Sequence, residues 1–371
     1  MKLDKLPQLR IGHLTAKIPI VQGGMGVGIS LSGLASAVAN EGGIGVIATA
    51  GIGRMEPDFA SDLPSADARA LRNEIRRAKS RTGGIVGVNI MVALTDFGEM
   101  VRVAVEEGVD LVIMGAGLPL RLPKTLRSEE LKKSKTLFAP KVSSARAVRA
   151  IFRFWERNYD HVPDAVVVEG PLAGGHIGFD RGDIEREDHT LERLVTEVIE
   201  EVRPFERSMG KNIPVIAAGG IYSGADIRRF LEMGAGGVMM GTRFVTTHEC
   251  DAHENFKRAY LECGEEGLVI IDSPVGLPGR AISNQFLSDV ASGIKKPYRC
   301  VWQCLKTCDV RNAPYCIAQA LMNAKEGRLD EGFAFAGANA FRTTGLLSVR
   351  ELILSLVREF EVSAAPAPVS G

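Results

Sequence analysis

The sequence predicts an α/β fold of the (β/α)8, or TIM-barrel, class with a helical C-terminal extension. Short apolar, β-branched segments recur along the first two thirds of the 371 residues, and amphipathic stretches separate several of them. Glycines cluster where these segments end. Strand and helix units in series imply parallel strands, which close into a barrel; an open doubly wound sheet is the competing fold.

Eight segments have the composition of buried strands. In chain order they cover residues 18–21, 45–48, 85–89, 111–114, 136–139, 165–169, 215–218 and 237–240. Periodicity predicts helices over residues 30–40, 65–80, 97–107, 145–158, 224–233, 317–327 and 349–360. We therefore predict a barrel domain over residues 10–290, a cysteine-containing helical extension over 291–362 and a mobile tail over 363–371.

The composition excludes several classes of function. The 45 basic and 45 acidic residues cancel, so no overall positive field favours nucleic acid or an anionic membrane. No apolar run approaches the length of a membrane span and the N-terminus lacks a signal core, which predicts a cytoplasmic protein. Six cysteines in a chain of this length do not form a disulfide scaffold. The sequence leaves open whether the chain forms a homo-oligomer.

One strand leads directly into a glycine-rich stretch that carries a histidine. The three valines 166–168 suit a strand buried on both faces, and Gly174 and Gly175 allow backbone to approach a ligand closely. His176 then lies at the C-terminal end of that strand, where barrel enzymes place their catalytic groups. The alternative is an ordinary turn with a solvated histidine.

The two last predicted strands also end in small residues. Gly219 and Gly220 follow the seventh strand, and Gly241 and Thr242 follow the eighth. In barrels, the loops at these two positions often bind phosphate through backbone N–H groups. These four residues are therefore candidates for holding a phosphate-bearing cofactor, with tight turns as the alternative reason for the glycines.

Three motifs in order along the chain resemble those of the nitronate monooxygenase family, formerly called 2-nitropropane dioxygenase. They lie at residues 174–178, 214–221 and 240–244, and the resemblance covers roughly residues 10–290. That family is similar in turn to the flavin-dependent enoyl-acyl-carrier-protein reductases. The resemblance implies a TIM barrel that binds FMN at the C-terminal face of its strands.

The resemblance also implies roles for individual residues. His176 corresponds to the family histidine at the reactive flavin face, and Asn89 to a residue that hydrogen-bonds the ring system, with Glu169 nearby. Glycines and their neighbours would follow the flavin from ring to phosphate: Gly23, Gly24, Met25, Gly174, Gly175, Gly219, Gly220, Gly241 and Thr242. Met239 stands where many relatives have glutamine, which affects substrate specificity more than flavin binding.

Three functions are compatible with this assignment. The first is oxidation of alkyl nitronates with oxygen by an FMN-dependent monooxygenase. The second is NAD(P)H-dependent reduction of an enoyl thioester, and the third is a non-catalytic flavin or redox-sensing module. Both enzyme functions predict a small-molecule substrate and a role for His176 beside the flavin.

The extension contains four cysteines in seventeen positions. Cys300, Cys304, Cys308 and Cys316 follow the spacing C-x3-C-x3-C-x7-C. A helix over residues 298–308 would place the first three thiols near one stripe. Four thiolates can hold an iron–sulfur cluster or zinc, whereas a buried apolar helix face is the alternative.

Overall fold

The computed structural model describes residues 5–126, 128–300 and 302–363. Eight parallel strands close into a barrel, which confirms the predicted fold class. The strands are β1 (Leu9–Ile11), β2 (Leu14–Ala16), β3 (Ile20–Gln22), β4 (Ile44–Ala48), β5 (Ile85–Met91), β6 (Leu111–Gly115), β7 (Leu137–Val142), β8 (Val166–Glu169), β9 (Gly175–His176), β10 (Val215–Ala218), β11 (Gly237–Met240), β12 (Leu268–Asp272) and β13 (Pro278–Ile282).

The helices surround the barrel and form most of the extension. They are α1 (Ser32–Asn40), α2 (Leu63–Arg81), α3 (Phe97–Glu106), α4 (Ser128–Lys133), α5 (Ala145–Tyr159), α6 (Leu191–Met209), α7 (Gly224–Glu232), α8 (Thr242–Val245), α9 (Glu254–Leu261), α10 (Gln285–Ala291), α11 (Ile317–Lys325) and α12 (Val349–Val362). Short 3-10 helices occur at Ile52–Met55, Arg181–Asp183, Glu265–Gly267 and Ala340–Arg342.

The barrel runs in the order β3, β4, β5, β6, β7, β8, β10 and β11, and β11 pairs with β3 to close it. All eight segments predicted as strands are barrel strands, with ends shifted by a few residues at most. In the register, Ala48 lies beside Asn89 and Ala218 beside Glu169. The carboxyl ends of the parallel strands therefore carry predicted site residues side by side at one mouth.

The inside of the barrel is apolar. This agrees with the continuous apolar, β-branched composition of the strands, which is typical of strands buried on both faces. Val46, Ile113 and Ile216 belong to one fully buried cluster. Leu9 and Ile11 of the β1–β2 hairpin join the same cluster, because the hairpin packs across the N-terminal ends of the strands. The opposite, C-terminal end is left for the site.

Three features differ from the sequence predictions. A long helix, α6, occupies Leu191–Met209, where the charged sequence gave no clear signal. A hairpin, β12–β13, follows the barrel and pairs with β9. The helix considered for residues 298–308 does not form: the described residues there are irregular, and Gln303 has a φ of 40°. The cause is that the backbone groups of Cys304 and Lys306 form hydrogen bonds with residues 93–95 rather than with a neighbouring helical turn.

The extension packs against the barrel. Helix α12 contacts α7 and α1, and Glu359 accepts the N–H of Gly224 at 2.8 Å. The division at residue 290 stays a prediction, and residues 364–371 of the predicted tail lie outside the described residues.

Candidate active site

One cavity of about 520 Å³ opens at the C-terminal mouth of the barrel. Its volume is in the range of small-molecule and cofactor sites. It is lined by every residue that the sequence singled out for catalysis or cofactor binding: Gly23, Gly24, Met25, Asn89, Glu169, Gly174, Gly175, His176, Gly219, Gly220, Gly241 and Thr242. The structure therefore brings together side chains and glycines from five different strand ends.

The loop after β3 lies flat against the end of β5. A Cβ on Gly24 would stand 2.3 Å from Cβ of Asn89, so only glycine allows this approach. Gln22 holds the loop in place, because its Oε1 accepts the N–H of Val46 at 2.8 Å and its amide also donates to the carbonyl of Gly23. Asn89 is thereby left at the cavity wall with its amide available to a ligand.

The loops after β10 and β11 form a cradle in which three of the four predicted residues are glycines. Gly219 and Gly220 have φ values of 93° and 91°, a region that favours glycine. The extension completes this cradle: the N–H of Gly337 donates to Oγ1 of Thr242 at 3.2 Å, and Nδ2 of Asn339 donates to the carbonyl of Gly220 at 2.6 Å. Backbone at such a turn suits a phosphate group.

His176 is held by a strand rather than by a turn. Gly175 and His176 form β9, which pairs with β13 in the register Gly279 to His176 and Arg280 to Gly175. Nε2 of His176 shares a hydrogen bond of 2.8 Å with Oγ of Ser273. The ring of Phe335 meets the imidazole edge-on at a centroid distance of 5.0 Å. The imidazole orientation is therefore fixed by a hairpin about a hundred residues further along the chain.

Burial lowers the pKa of His176 to about 4, because the low-dielectric surroundings disfavour the imidazolium. The imidazole is consequently neutral at pH 7. A neutral ring donates from one nitrogen and accepts at the other, so its hydrogen bonds determine its role.

Arg280 fixes the glycine-rich stretch before β9. Its Nη1 donates to the carbonyls of Pro171 and Ala173 at 2.8 and 2.7 Å. The guanidinium is buried, and desolvation lowers its pKa. Glu169, at the end of β8, forms an ion pair of 2.8 Å with Lys141 of β7. Both interactions determine the shape of the wall beside His176.

Several of these residues could not be identified from the sequence. Arg280 and Ser273 belong to a hairpin that pairs with β9 across about a hundred residues, and no local motif marks that pairing. Lys141 could have been found, because it lies near the end of a predicted strand as Glu169 does. The remaining cavity residues missed by the sequence include Arg54, Asp67, Phe335, Gly337 and Asn339.

The four cysteines of the extension lie in one irregular segment, and of them Cys304 alone is part of the cavity lining. Burial raises the pKa of both the Cys304 and the Cys308 thiol. Among residues 5–126, 128–300 and 302–363, no group of three or more His, Cys, Asp or Glu side chains is arranged to hold a metal ion. The metal-site prediction for Cys300, Cys304, Cys308 and Cys316 therefore gains no support from the structure.

The fold and cavity match a known family. A family model described as nitronate monooxygenase matches residues 8–359, nearly the whole chain. The chain belongs to the nitronate monooxygenase family. Membership confirms the resemblance inferred from its motifs.

Relatives in this family carry different names. A Mycobacterium tuberculosis protein named (3aS,4S,5R,7aS)-5-hydroxy-7a-methyl-1-oxo-octahydro-1H-indene-4-carboxyl-CoA dehydrogenase is 30% identical over 275 residues, covering 74% of this chain and 66% of that protein. This chain thus spans slightly under two thirds of that relative's length. A probable nitronate monooxygenase of Staphylococcus saprophyticus is 27% identical over 313 residues, covering 76% of this chain and 80% of that protein.

Solved structures agree on the architecture. FabK from Thermotoga maritima is 29% identical with a TM-score of 0.70, and the match covers 93% of each chain. A nitroalkane oxidase from Streptomyces ansochromogenes has a TM-score of 0.70 and covers 94% of this chain and 97% of its own, and at 23% identity it supports the fold alone. None of the helices in the described parts of the chain combines the length and apolarity needed to cross a bilayer.

Proposed function

We propose that this protein is an FMN-dependent monooxygenase that oxidises alkyl nitronates with oxygen. The observation that carries the proposal is His176, a neutral imidazole fixed at the wall of a cavity that the glycine loops of the barrel also line. The residues fit FMN: Gly219, Gly220, Gly241 and Thr242 would hold its phosphate, and Gly24 and Asn89 its ring system. When bound, FMN would supply the electron transfer for the oxidation.

His176 suits a substrate that is already an anion. A pKa of about 4 makes its imidazole a weak base, which is poorly matched to removing a proton from a neutral nitroalkane at pH 7. If the Ser273 hydroxyl donates to Nε2, the ring proton resides on Nδ1, which has no hydrogen bond to the described residues. Nδ1 can then donate to an anionic oxygen of the nitronate and hold it over the reactive face.

A second candidate is NAD(P)H-dependent reduction of an enoyl thioester. The observation that favours it is the likeness to FabK over 93% of both chains, together with a relative named as a carboxyl-CoA dehydrogenase. In this reaction the Nδ1–H of His176 would bind the thioester carbonyl. The site geometry is the same for both candidates, so the substrate decides between them.

Steady-state assays separate the two. We expect oxygen consumption with ethyl or propyl nitronate. We expect no oxidation of NADPH by a crotonyl thioester. Turnover of the thioester without nitronate activity would contradict the proposal and favour the reductase. A protein that retains FMN and turns over neither substrate would be a flavin-binding or redox-sensing module.

The iron–sulfur or zinc hypothesis stays outside the proposed function, because the described residues contain no group of three or more His, Cys, Asp or Glu side chains arranged to hold a metal ion. Iron and zinc analysis of anaerobically purified protein tests it directly. A stoichiometric metal content that is lost in a Cys304→Ala, Cys308→Ala double variant would reinstate the hypothesis.

A further inference from the structure

Two arginines stack on one tyrosine ring beside the proposed phosphate cradle. The guanidinium carbons of Arg243 and Arg342 lie 4.5 and 4.4 Å from the ring centroid of Tyr222. We call Arg243 and Arg342 the arginine pair. Tyr222 is buried, lines the cavity and follows Gly219 and Gly220 in the loop after β10. Two cations therefore contact the cavity wall next to the glycines that are candidates for holding a phosphate.

Each member of the arginine pair belongs to a chain segment that also forms the cradle. Arg243 directly follows Thr242 after β11, and its Nη1 donates to the carbonyl of Tyr222 at 3.1 Å. This bond ties the loop after β11 to the loop after β10. Arg342 follows Asn339 by three positions, and the amide of Asn339 donates to a carbonyl of the loop after β10 at 2.6 Å. The three segments of the cradle thus bring both arginines to one place.

The charges of the arginine pair are not neutralised by ion pairs. In the described parts of the chain, neither guanidinium is paired with a carboxylate, whereas Arg350 of α12 pairs with Glu41 at 3.5 Å. The hydrogen bonds of Arg243 go to neutral oxygens, the carbonyl of Tyr222 and the hydroxyl of Ser355. An aromatic face attracts a guanidinium without cancelling its charge. The arginine pair therefore adds positive charge beside the cradle.

The acidic side chain next to this tyrosine in sequence has another role. Oδ2 of Asp226 accepts the N–H groups of Tyr222 and Ser223 at 3.0 and 2.8 Å. It belongs to the capping box at the N-terminus of α7. Its hydrogen bonds therefore commit Asp226 to the start of that helix rather than to either arginine.

We propose that the arginine pair supplies the charge that selects the phosphate of FMN, so that the site discriminates FMN from riboflavin. The glycine loops offer N–H donors but no formal charge, whereas a phosphate monoester carries about −1.5 to −2 charges at pH 7. A guanidinium stacked on a ring keeps the N–H groups of its edge free for an anion. This inference rests on the proposed function, because the phosphate is that of the cofactor proposed there.

Fluorescence titration of the apoprotein with FMN and with riboflavin tests the inference. The parent protein should bind FMN roughly 10-fold or more tightly than riboflavin. Arg342→Met keeps an apolar chain against Tyr222 and should weaken FMN roughly 3- to 10-fold, the range for a partly solvated charge. Riboflavin affinity should stay unchanged, because riboflavin has no phosphate. Arg342→Lys keeps the charge and should lose less FMN affinity than Arg342→Met.

The matched control is Arg350→Met. Arg350 is an exposed arginine whose partner is Glu41, so its replacement should change neither affinity. Unchanged FMN affinity in Arg342→Met would overturn the inference. An equal loss of FMN and riboflavin affinity would also overturn it, because the arginine would then act on the shape of the wall and not on the phosphate.

Salt separates charge from shape in the same titration. Raising NaCl from about 50 mM to about 500 mM screens the attraction between partly solvated charges. FMN binding by the parent should weaken over this range, and riboflavin binding should change little. The weakening should be smaller in an Arg243→Met, Arg342→Met double variant. The same salt dependence in the parent and the double variant would contradict the proposal.

NADPH is the other source of phosphate that the candidate reactions offer. Calorimetric titration of the FMN-loaded protein with NADPH therefore accompanies the flavin titrations. We expect Arg342→Met and the parent to bind NADPH equally. A variant that binds FMN as the parent does but loses NADPH affinity would overturn the assignment to FMN.

The two proposals can fail separately, because the titrations measure binding without turnover. FMN binding that depends on Arg342, in a protein that consumes no oxygen with any alkyl nitronate, contradicts the proposed oxidation alone. Nitronate turnover together with FMN binding that is independent of Arg342 contradicts the role of the arginine pair alone.

Discussion

The two halves of the cavity wall differ in how the chain builds them. The barrel half consists of residues at or just after the ends of strands, such as Gly24, Asn89 and Gly219. The extension half consists of residues 304–339, whose segments reach the mouth through individual contacts such as the bond from Asn339 to Gly220. The barrel half therefore contains the residues that the family motifs predict, whereas the extension half supplies cavity wall that no motif predicts.

The largest expected effect is on the barrel half. His176→Ala should lower turnover by roughly 100- to 1,000-fold, the range for loss of one positioned hydrogen-bond donor to a reacting oxygen, and should retain FMN. The measurement is oxygen consumption with an alkyl nitronate, alongside the flavin absorbance. His13→Ala, at an exposed site away from the mouth, is the matched control. Undiminished turnover in His176→Ala would show that His176 takes no part in the reaction.

The pH dependence of stability tests the burial of His176 in the same barrel half. His176 has a pKa of about 4 when folded, below its ordinary value of 6.5, so the unfolded chain binds the proton more readily. The free energy of unfolding should fall as the pH drops from about 6.5 to about 4, by up to about 3 kcal/mol from this group.

Denaturant titrations at pH 7 and pH 4.5 measure this loss. The His176→Gln variant should lose less stability between the two pH values than the parent protein, by about 2 to 3 kcal/mol. His13→Gln should lose as much as the parent. An equal loss in parent and His176→Gln would show that the imidazole is not desolvated.

The next largest effect is expected at the contact between the barrel half and the extension half. Gly174→Ala places a Cβ 2.5 Å from the backbone of Ala336 and Gly337, so the two halves must separate. We expect destabilisation of about 1 to 3 kcal/mol, as for overpacking, and a lower FMN content after purification. Gly182→Ala, where a Cβ meets nothing within 4 Å, is the control. Normal stability and FMN content in Gly174→Ala would disprove this close contact.

The smallest effect belongs to the extension half. Asn339→Ala removes the hydrogen bond to the carbonyl of Gly220 and should cost about 1 kcal/mol, with roughly fivefold weaker FMN binding. Asn158→Ala removes a bond within an exposed helix end and should leave FMN binding unchanged. Fluorescence titration of the apoprotein with FMN measures both. Equal FMN affinity in the two variants would show that the extension does not contribute to the cradle.

Local pattern predicted the barrel half well. The eight strands, the cradle glycines and His176 all follow from β-branched runs that end in glycine, because burial on both faces leaves few other compositions. The pairing of β9 with β13 did not follow, since it joins residues about a hundred positions apart. A helix was one interpretation of the cysteine spacing, but the backbone of this segment forms hydrogen bonds with residues 93–95. Local sequence does not indicate such a tertiary contact.

Anaerobic mixing of the FMN-loaded protein with an alkyl nitronate tests the central claim most directly, because a substrate oxidised by the flavin must change its absorbance. We predict rapid bleaching in the parent protein and bleaching at least 100-fold slower in His176→Ala, both with full flavin content. A flavin spectrum that stays unchanged in the parent protein would contradict nitronate oxidation at this site.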